Sequence, residues 1–68
     1  MISYSEYLVE YDNENNCVYI SGLDSDMFWN EFQVETDIAE PESYAWGYAE
    51  AMKYNGFTVT VSEVEYED

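Results

Sequence analysis

Sixty-eight residues carry 16 Asp and Glu, one Lys, no Arg and no His, for a formal net charge of -15 at pH 7. A chain of this length is one domain, residues 1–68, and it buries only about 60% of the surface its unfolded state exposes, too little for a deep enclosed cleft. Phosphate contacts need Lys or Arg, and Lys53 stands alone. That argues against direct nucleic-acid binding, docking on anionic lipid and the holding of nucleotide phosphates.

Leu, Ile, Val and Phe sum to 14 of 68 residues, close to the composition at which a highly charged chain stays disordered. Eight Tyr, three Phe and two Trp pull the other way, because each ring buries a large area. The chain is therefore expected to fold, with a margin thinned at low salt by self-repulsion. The single Cys17 has no partner for an internal disulfide, which fits a reducing compartment. No basic and then apolar leader follows Met1, and no apolar run approaches 18 residues. The expected location is the cytoplasm, with no membrane contact.

In chain order, Ser3 to Asp12 reads as a strand with Tyr7, Val9 and Tyr11 on one face and Glu6, Leu8, Glu10 and Asp12 on the other. Asn13 to Asn16 reads as a turn and Cys17 to Ser21 as a second strand, completing a hairpin. Gly22 to Asp26 breaks the pattern. From Glu31 the alternation returns, with Phe32, Val34, Thr36 and Ile38 inward and Glu31, Gln33, Glu35 and Asp37 outward. Pro41 to Asn55 has the marks of a helix: Pro at the first position, acids before and Lys53 after for the dipole, and Gly56 as a left-handed stop beside Phe57 and Met52. Its inward stripe is expected to be Tyr44, Ala45, Tyr48, Ala51 and Met52. Phe57 to Ser62 alternates again as a last strand. The tail from Glu63 to Asp68 is acidic, and its apolar parity flips at Val64; it is expected to fray. The fold expected is a small two-layer α+β domain, β-β-β-α-β, with one antiparallel or mixed sheet covered on one face by a single helix.

Catalysis lacks its usual parts. Without His there is no base of ordinary neutral pKa, and Cys17 has no His to make it a thiolate. Carboxylate pairs arise by chance in so acidic a chain, so no enzyme, cofactor or metal site is expected. Asp12-x-Glu14-x-Asn16 imitates the start of a calcium loop, yet its sixth and twelfth positions hold Cys17 and Leu23 where Gly and Glu are needed. A turn whose Asp and Asn bond the local backbone explains it better. Trp46 falls on the helix with Glu42, Glu50 and Lys53, away from the inward stripe, so it and Trp29 are candidate interface anchors.

Charge is the strongest signal. A chain of this length has a radius of gyration of about 11 Å, hence a diameter of roughly 28 Å. Duplex DNA carries about 16 charges over that length, against -15 here. Outward carboxylates on a strand recur about every 6.7 Å. Glu6 and Glu10 with Glu31, Glu35 and Asp37 are expected to form such rows on an open sheet face. In size, charge and compactness, though in no diagnostic motif, the chain resembles a class of small acidic phage-encoded proteins that mimic DNA or RNA. That resemblance implies an inhibitor of a bacterial defence effector, an anti-CRISPR or anti-restriction protein, whose partner is a basic nucleic-acid-binding protein: a CRISPR effector, restriction enzyme or repair enzyme. It carries no residue over. Two other readings stand beside it: a small acidic adaptor or subunit using an aromatic patch, and a carboxylate-rich cation binder.

Overall fold

The computed structural model describes residues 3–66, with elements in the order β1 (Glu6–Asp12), β2 (Cys17–Leu23), β3 (Trp29–Glu35), α1 (Pro41–Tyr54) and β4 (Val59–Glu63). The strands form one mixed sheet in the order β3-β2-β1-β4. β1–β2 and β2–β3 are antiparallel, while β4 returns through α1 to lie parallel to β1. The helix packs on β1, β4 and β2 and reaches β3 through the Tyr48 hydroxyl, which donates to Gln33 Oε1 at 3.3 Å. This is the two-layer α+β domain that the sequence implies.

Alternation on β1 turns Tyr7, Val9 and Tyr11 toward the helix, where Val9 pairs with Ile20 and Val61 and Tyr11 with Val18. Val9, Val18, Ile20, Ala45 and Ala49 are fully buried. Two alanines one turn apart allow the helix backbone to lie close on the sheet. The inward stripe thus runs through Ala49; Ala51, assigned inward from spacing, is exposed, and so is Tyr44. Each buried Val or Ile contributes about 1.5–3 kcal/mol, and so few of them make a thin core.

Both helix ends follow from sequence. Pro41 occupies the first turn, where a missing N–H breaks nothing. At the far end Gly56 takes φ +93°, Gly56 N–H donates to Lys53 O at 2.9 Å, and Phe57 N–H donates to Met52 O at 3.1 Å. These are the two bonds of a glycine-terminated helix stop.

The β1–β2 turn is organised by Asp12, which the alternation placed outward and which is fully buried. Its carboxylate accepts the backbone N–H groups of Glu14 and Asn15, both at 3.0 Å, and the Asn15 side-chain amide at 2.9 Å. Asn16 then takes φ +54°, a conformation Asn tolerates. β2 also continues further than expected: Gly22 and Leu23 complete it because Gly22 pairs with Tyr7 and Leu23 with Glu6. A Cβ on Gly22 would meet the Tyr4 ring at 2.3–2.6 Å. The glycine that reads as a break is instead the floor on which an aromatic ring lies.

β3 corrects the expected carboxylate row. Ile20 pairs with Gln33 while Ser21 pairs with Glu31, so Phe32 is an extra residue in a bulge. One extra residue reverses the side-chain parity on either side of it. Gln33 and Glu35 consequently lie opposite Ile20 and Val18 on the helix side, and Glu31 and Val34 lie opposite Ser21 and Tyr19 on the open side. Phe32 and Val34, expected inward, are each 46% exposed. The strand ends at Glu35; Asp37 sits beyond it at φ +57°. Ile38 does pack against the core, and its N–H donates to Asn16 O at 2.9 Å.

The tail is tied down where fraying was expected. Val64 N–H donates to Tyr11 O at 2.9 Å, and the Tyr66 hydroxyl donates to the Asp12 carboxylate. Glu67 and Asp68 lie outside the described residues.

Candidate partner-binding surface

Strand register divides the molecule into two ends. At one lie the β1–β2 turn, the last residues of β3 and β4 and the first turn of α1, since Asp12 pairs with Cys17, Val18 with Glu35 and Tyr11 with Glu63. At the other lie the first residues of β1, β3 and β4, the β2–β3 connection and the last turn of α1.

The turn end collects acids from segments far apart in sequence: Glu14, Glu35, Asp37, Glu40, Glu42, Glu63 and Glu65. Several observations bring them together. Asn13 donates its amide to Glu63 at 3.2 Å. A depression of about 310 Å³ is lined by Asn13, Glu14, Glu63, Val64 and Tyr66. A second, also about 310 Å³, is lined by Asn13, Asn16 and residues 39–43, which include Glu40 and Glu42. Burial raises the Tyr11 phenol above its ordinary pKa, and the charges of Glu42 and Glu63 raise it further. Glu40 and Glu42 also sit at the positive end of the helix dipole, which offsets part of their mutual repulsion.

Asp12 and Tyr66 anchor this end. The hydroxyl of Tyr66, opposed by burial and helped by Asn15 and the two backbone N–H groups, holds the Asp12 carboxyl down at about 2. The same bond, with burial, pushes the Tyr66 phenol up to about 12. Asp24 plays a related part in the β2–β3 connection. It accepts the N–H groups of Phe28 and Asp26 at 3.0 and 2.9 Å and the Asn30 amide at 2.7 Å, which lower its pKa against burial. Both Asp-rich turns thus spend their carboxylates on the local chain, as small loops of Asp and Asn do. Among the described residues no group of three acidic or Cys side chains is placed to hold a metal ion, and no helix is long and apolar enough to cross a membrane.

The residues singled out from sequence fall into four places. Glu6, Glu10 and Glu31 share the open sheet face, since Glu10 pairs with Tyr19, itself opposite Val34, and Glu31 with Ser21. Glu35 and Asp37 belong to the turn end, and Glu35 accepts the Gln33 amide at 2.6 Å on the helix side. The five carboxylates therefore do not form one row. Trp29 begins β3 at the opposite end and is 48% exposed. Trp46 is 45% exposed on the outer side of α1 with the Lys53 ammonium 5.9 Å from its ring centroid.

Sequence reasoning missed Glu14, Glu40, Glu42, Glu63 and Glu65 as members of one surface. Strand alternation carries no signal for them, because loops, a helix start and a tail converge only through the parallel pairing of β4 with β1. Apart from Trp29, it missed the opposite end too. Met27, Phe28, Trp29, Phe32, Tyr54 and Phe57 are exposed there, and the rings of Tyr4, Tyr7, Phe32 and Phe57 contact one another at centroid distances of 5.3–6.0 Å.

Comparison with known proteins gives no match: no family model, no curated protein and no solved structure is similar to the chain.

Proposed function

We propose that the protein is an acidic nucleic-acid mimic, phage-encoded, that occupies the basic groove of a bacterial defence effector in the host cytoplasm. The effector is a CRISPR complex, a restriction enzyme or a related repair enzyme, and carboxylates take the places of phosphates against its Arg and Lys side chains. The observation that carries this reading is charge density. A net -15 sits on a body of 33 × 28 × 17 Å, and a duplex 28–33 Å long carries about 16–19 charges. A need for solubility alone is met by a smaller net charge with both signs interspersed. The turn end, with the open-face carboxylates Glu6, Glu10 and Glu31 behind it, is the surface best suited to the task. Electrostatic steering then supplies fast association.

The test is competition. Effector and protein are mixed with labelled nucleic acid across a salt series. The reading expects displacement of the nucleic acid and an affinity that falls steeply with ionic strength. A complex indifferent to salt that still holds its nucleic acid rejects it.

The second reading, an adaptor or subunit, rests on a different observation: Met27, Phe28 and Trp29 run consecutively with exposures of 73%, 69% and 48%. It expects a partner bound through these side chains, with little dependence on salt.

A further inference from the structure

We propose that the aromatic end is a self-association surface, closed by the same end of a second copy of this chain about a two-fold axis. The surface comprises Met27, Phe28, Trp29, Phe32, Tyr54 and Phe57, every one of them 46% or more exposed. At roughly 200 Å² for each aromatic side chain, the exposed rings alone present about 600 Å². That is at the upper limit of the largest apolar patch on an ordinary monomer and near the ~800 Å² per partner of a standard interface.

Charge placement selects the occupant. A basic partner is drawn to the turn end, where the acids converge. The aromatic end calls for a partner surface that is apolar and low in charge, and a second copy supplies such a surface. It is also the end of α1 that carries Lys53, the only cation of the chain, together with Glu6, Asp24 and Asp26, so opposite signs are available on both sides of a symmetric contact. Joining aromatic ends directs the two turn ends away from each other. With a body 33 Å long and a screening length of about 8 Å at physiological salt, the two acid clusters scarcely interact.

The edge of β3 contributes shape more than hydrogen bonds. β3 is a sheet edge, and such edges invite pairing with another chain. The bulge at Phe32 interrupts a continuous ladder, so side-chain packing carries the contact. The inference is independent of the mimic reading. It does compete with the adaptor reading, whose supporting side chains it covers.

The experiment is sedimentation of the full chain over a concentration series at about 10 mM and about 1 M salt, where the screening length falls from about 30 Å to about 3 Å. A dimer is expected whose dissociation constant drops by about tenfold or more as repulsion is screened, the opposite sign to the salt dependence of target binding. Phe28→Glu and, separately, Met27→Glu should give monomers with unchanged circular dichroism. Their side chains are exposed, so the fold does not depend on them. A chain that stays monomeric at both salt concentrations overturns the proposal. So does a dimer that survives both substitutions, or a monomeric wild type that loses effector binding on either substitution, which assigns this end to the target. Loss of nucleic-acid competition with an intact dimer counts against the mimic reading alone.

Discussion

The two ends of this domain are built from the same four strands and one helix, yet they solve opposite problems. The turn end concentrates like charges and holds them with polar bonds: Asp12 takes two backbone N–H groups, an Asn amide and a Tyr hydroxyl. The aromatic end has fewer charges to separate and is held by ring contacts, with Tyr4 stacked on Phe32 and Tyr7 set edge-on to Phe32 and Phe57. Repulsion at one end is tolerated because hydrogen bonds there are local and directional. Exposure at the other is tolerated because a net -15 keeps copies apart until salt or concentration brings them together. The difference teaches that charge in this fold is sorted along the strands rather than by face.

The sharpest way to break that comparison is to neutralise one region at a time. Glu14, Glu40, Glu42 and Glu63 all replaced by Gln should weaken binding to the effector by about a thousandfold. This takes ~1 kcal/mol for each interfacial charge pair, between exposed and desolvated values, and tenfold per ~1.4 kcal/mol. The set Glu6, Glu10 and Glu31 replaced by Gln should cost less. Equal losses per charge, measured by titration calorimetry at fixed salt, would show that total charge acts and that sorting by end is irrelevant. Folding stability should rise slightly in both sets as self-repulsion falls.

Gly22→Ala probes the aromatic end alone. The added methyl falls inside the Tyr4 ring, so Tyr4 must leave its place over the strand and its stack with Phe32 is lost. Overpacking of this kind costs about 1–3 kcal/mol, readable as a lower urea midpoint. Hydrogen exchange at Glu14 and Asn15, whose amides bond Asp12, should be unaffected below the global unfolding limit. Faster exchange there would show that the two ends do not hold separately.

Much of this was legible in the sequence, and the failures have one physical source. The helix, its Pro41 start and its Gly56 stop could be read because each depends on neighbours a few residues away. The hairpin at Asn13–Asn16 could be read for the same reason. The row of Glu31, Glu35 and Asp37 failed because a bulge is invisible to alternation: the spacing is regular, and only the pairing of Ile20 with Gln33 and Ser21 with Glu31 reveals the extra residue. Glu40, Glu42 and Glu63 were each visible, but their meeting with Glu14 depends on which strand β4 joins. Tyr66 illustrates the same limit. A tyrosine in an acidic tail reads as loose, and its anchor, Asp12, lies 54 positions away.

Acid acts on the polar turns at both ends. Asp12 has a folded-state pKa of about 2, below its ordinary value of 3.8, so the stability it supplies is present above about pH 4 and is lost as pH falls toward 2. Asp24 is lowered too, by the Phe28 amide first, and acts in the same direction. Stability should therefore fall as pH drops from about 4 toward 2. Tyr66→Phe removes the largest cause of the Asp12 shift and should move that acid limb to higher pH. An acid limb at the same pH in wild type and Tyr66→Phe, followed by far-ultraviolet circular dichroism, would contradict this role for the Tyr66 hydroxyl.

The smallest effect is expected from the helix surface between the two ends, which makes it the control for both. Trp46 is half-exposed, and the Lys53 ammonium lies over its ring at 5.9 Å from the centroid. A cation over a ring at an exposed site contributes about 0.5–1 kcal/mol, so Lys53→Gln and Trp46→Ala should each lower stability by no more than about that much. The two should be non-additive, since either substitution removes the same contact. Trp46 belongs to neither the converging acids nor the ring cluster. Its loss should leave effector binding and self-association within about twofold of wild type, a difference of about 0.4 kcal/mol. Lys53→Gln differs in one respect: it takes the net charge from -15 one unit lower and removes the only cation beside the self-association surface, so it should weaken the dimer more than Trp46→Ala does. If Trp46→Ala instead abolishes effector binding while the four-residue Glu to Gln variant retains it, the partner sits on the outer face of α1. The two ends would then be features of folding and solubility rather than of recognition.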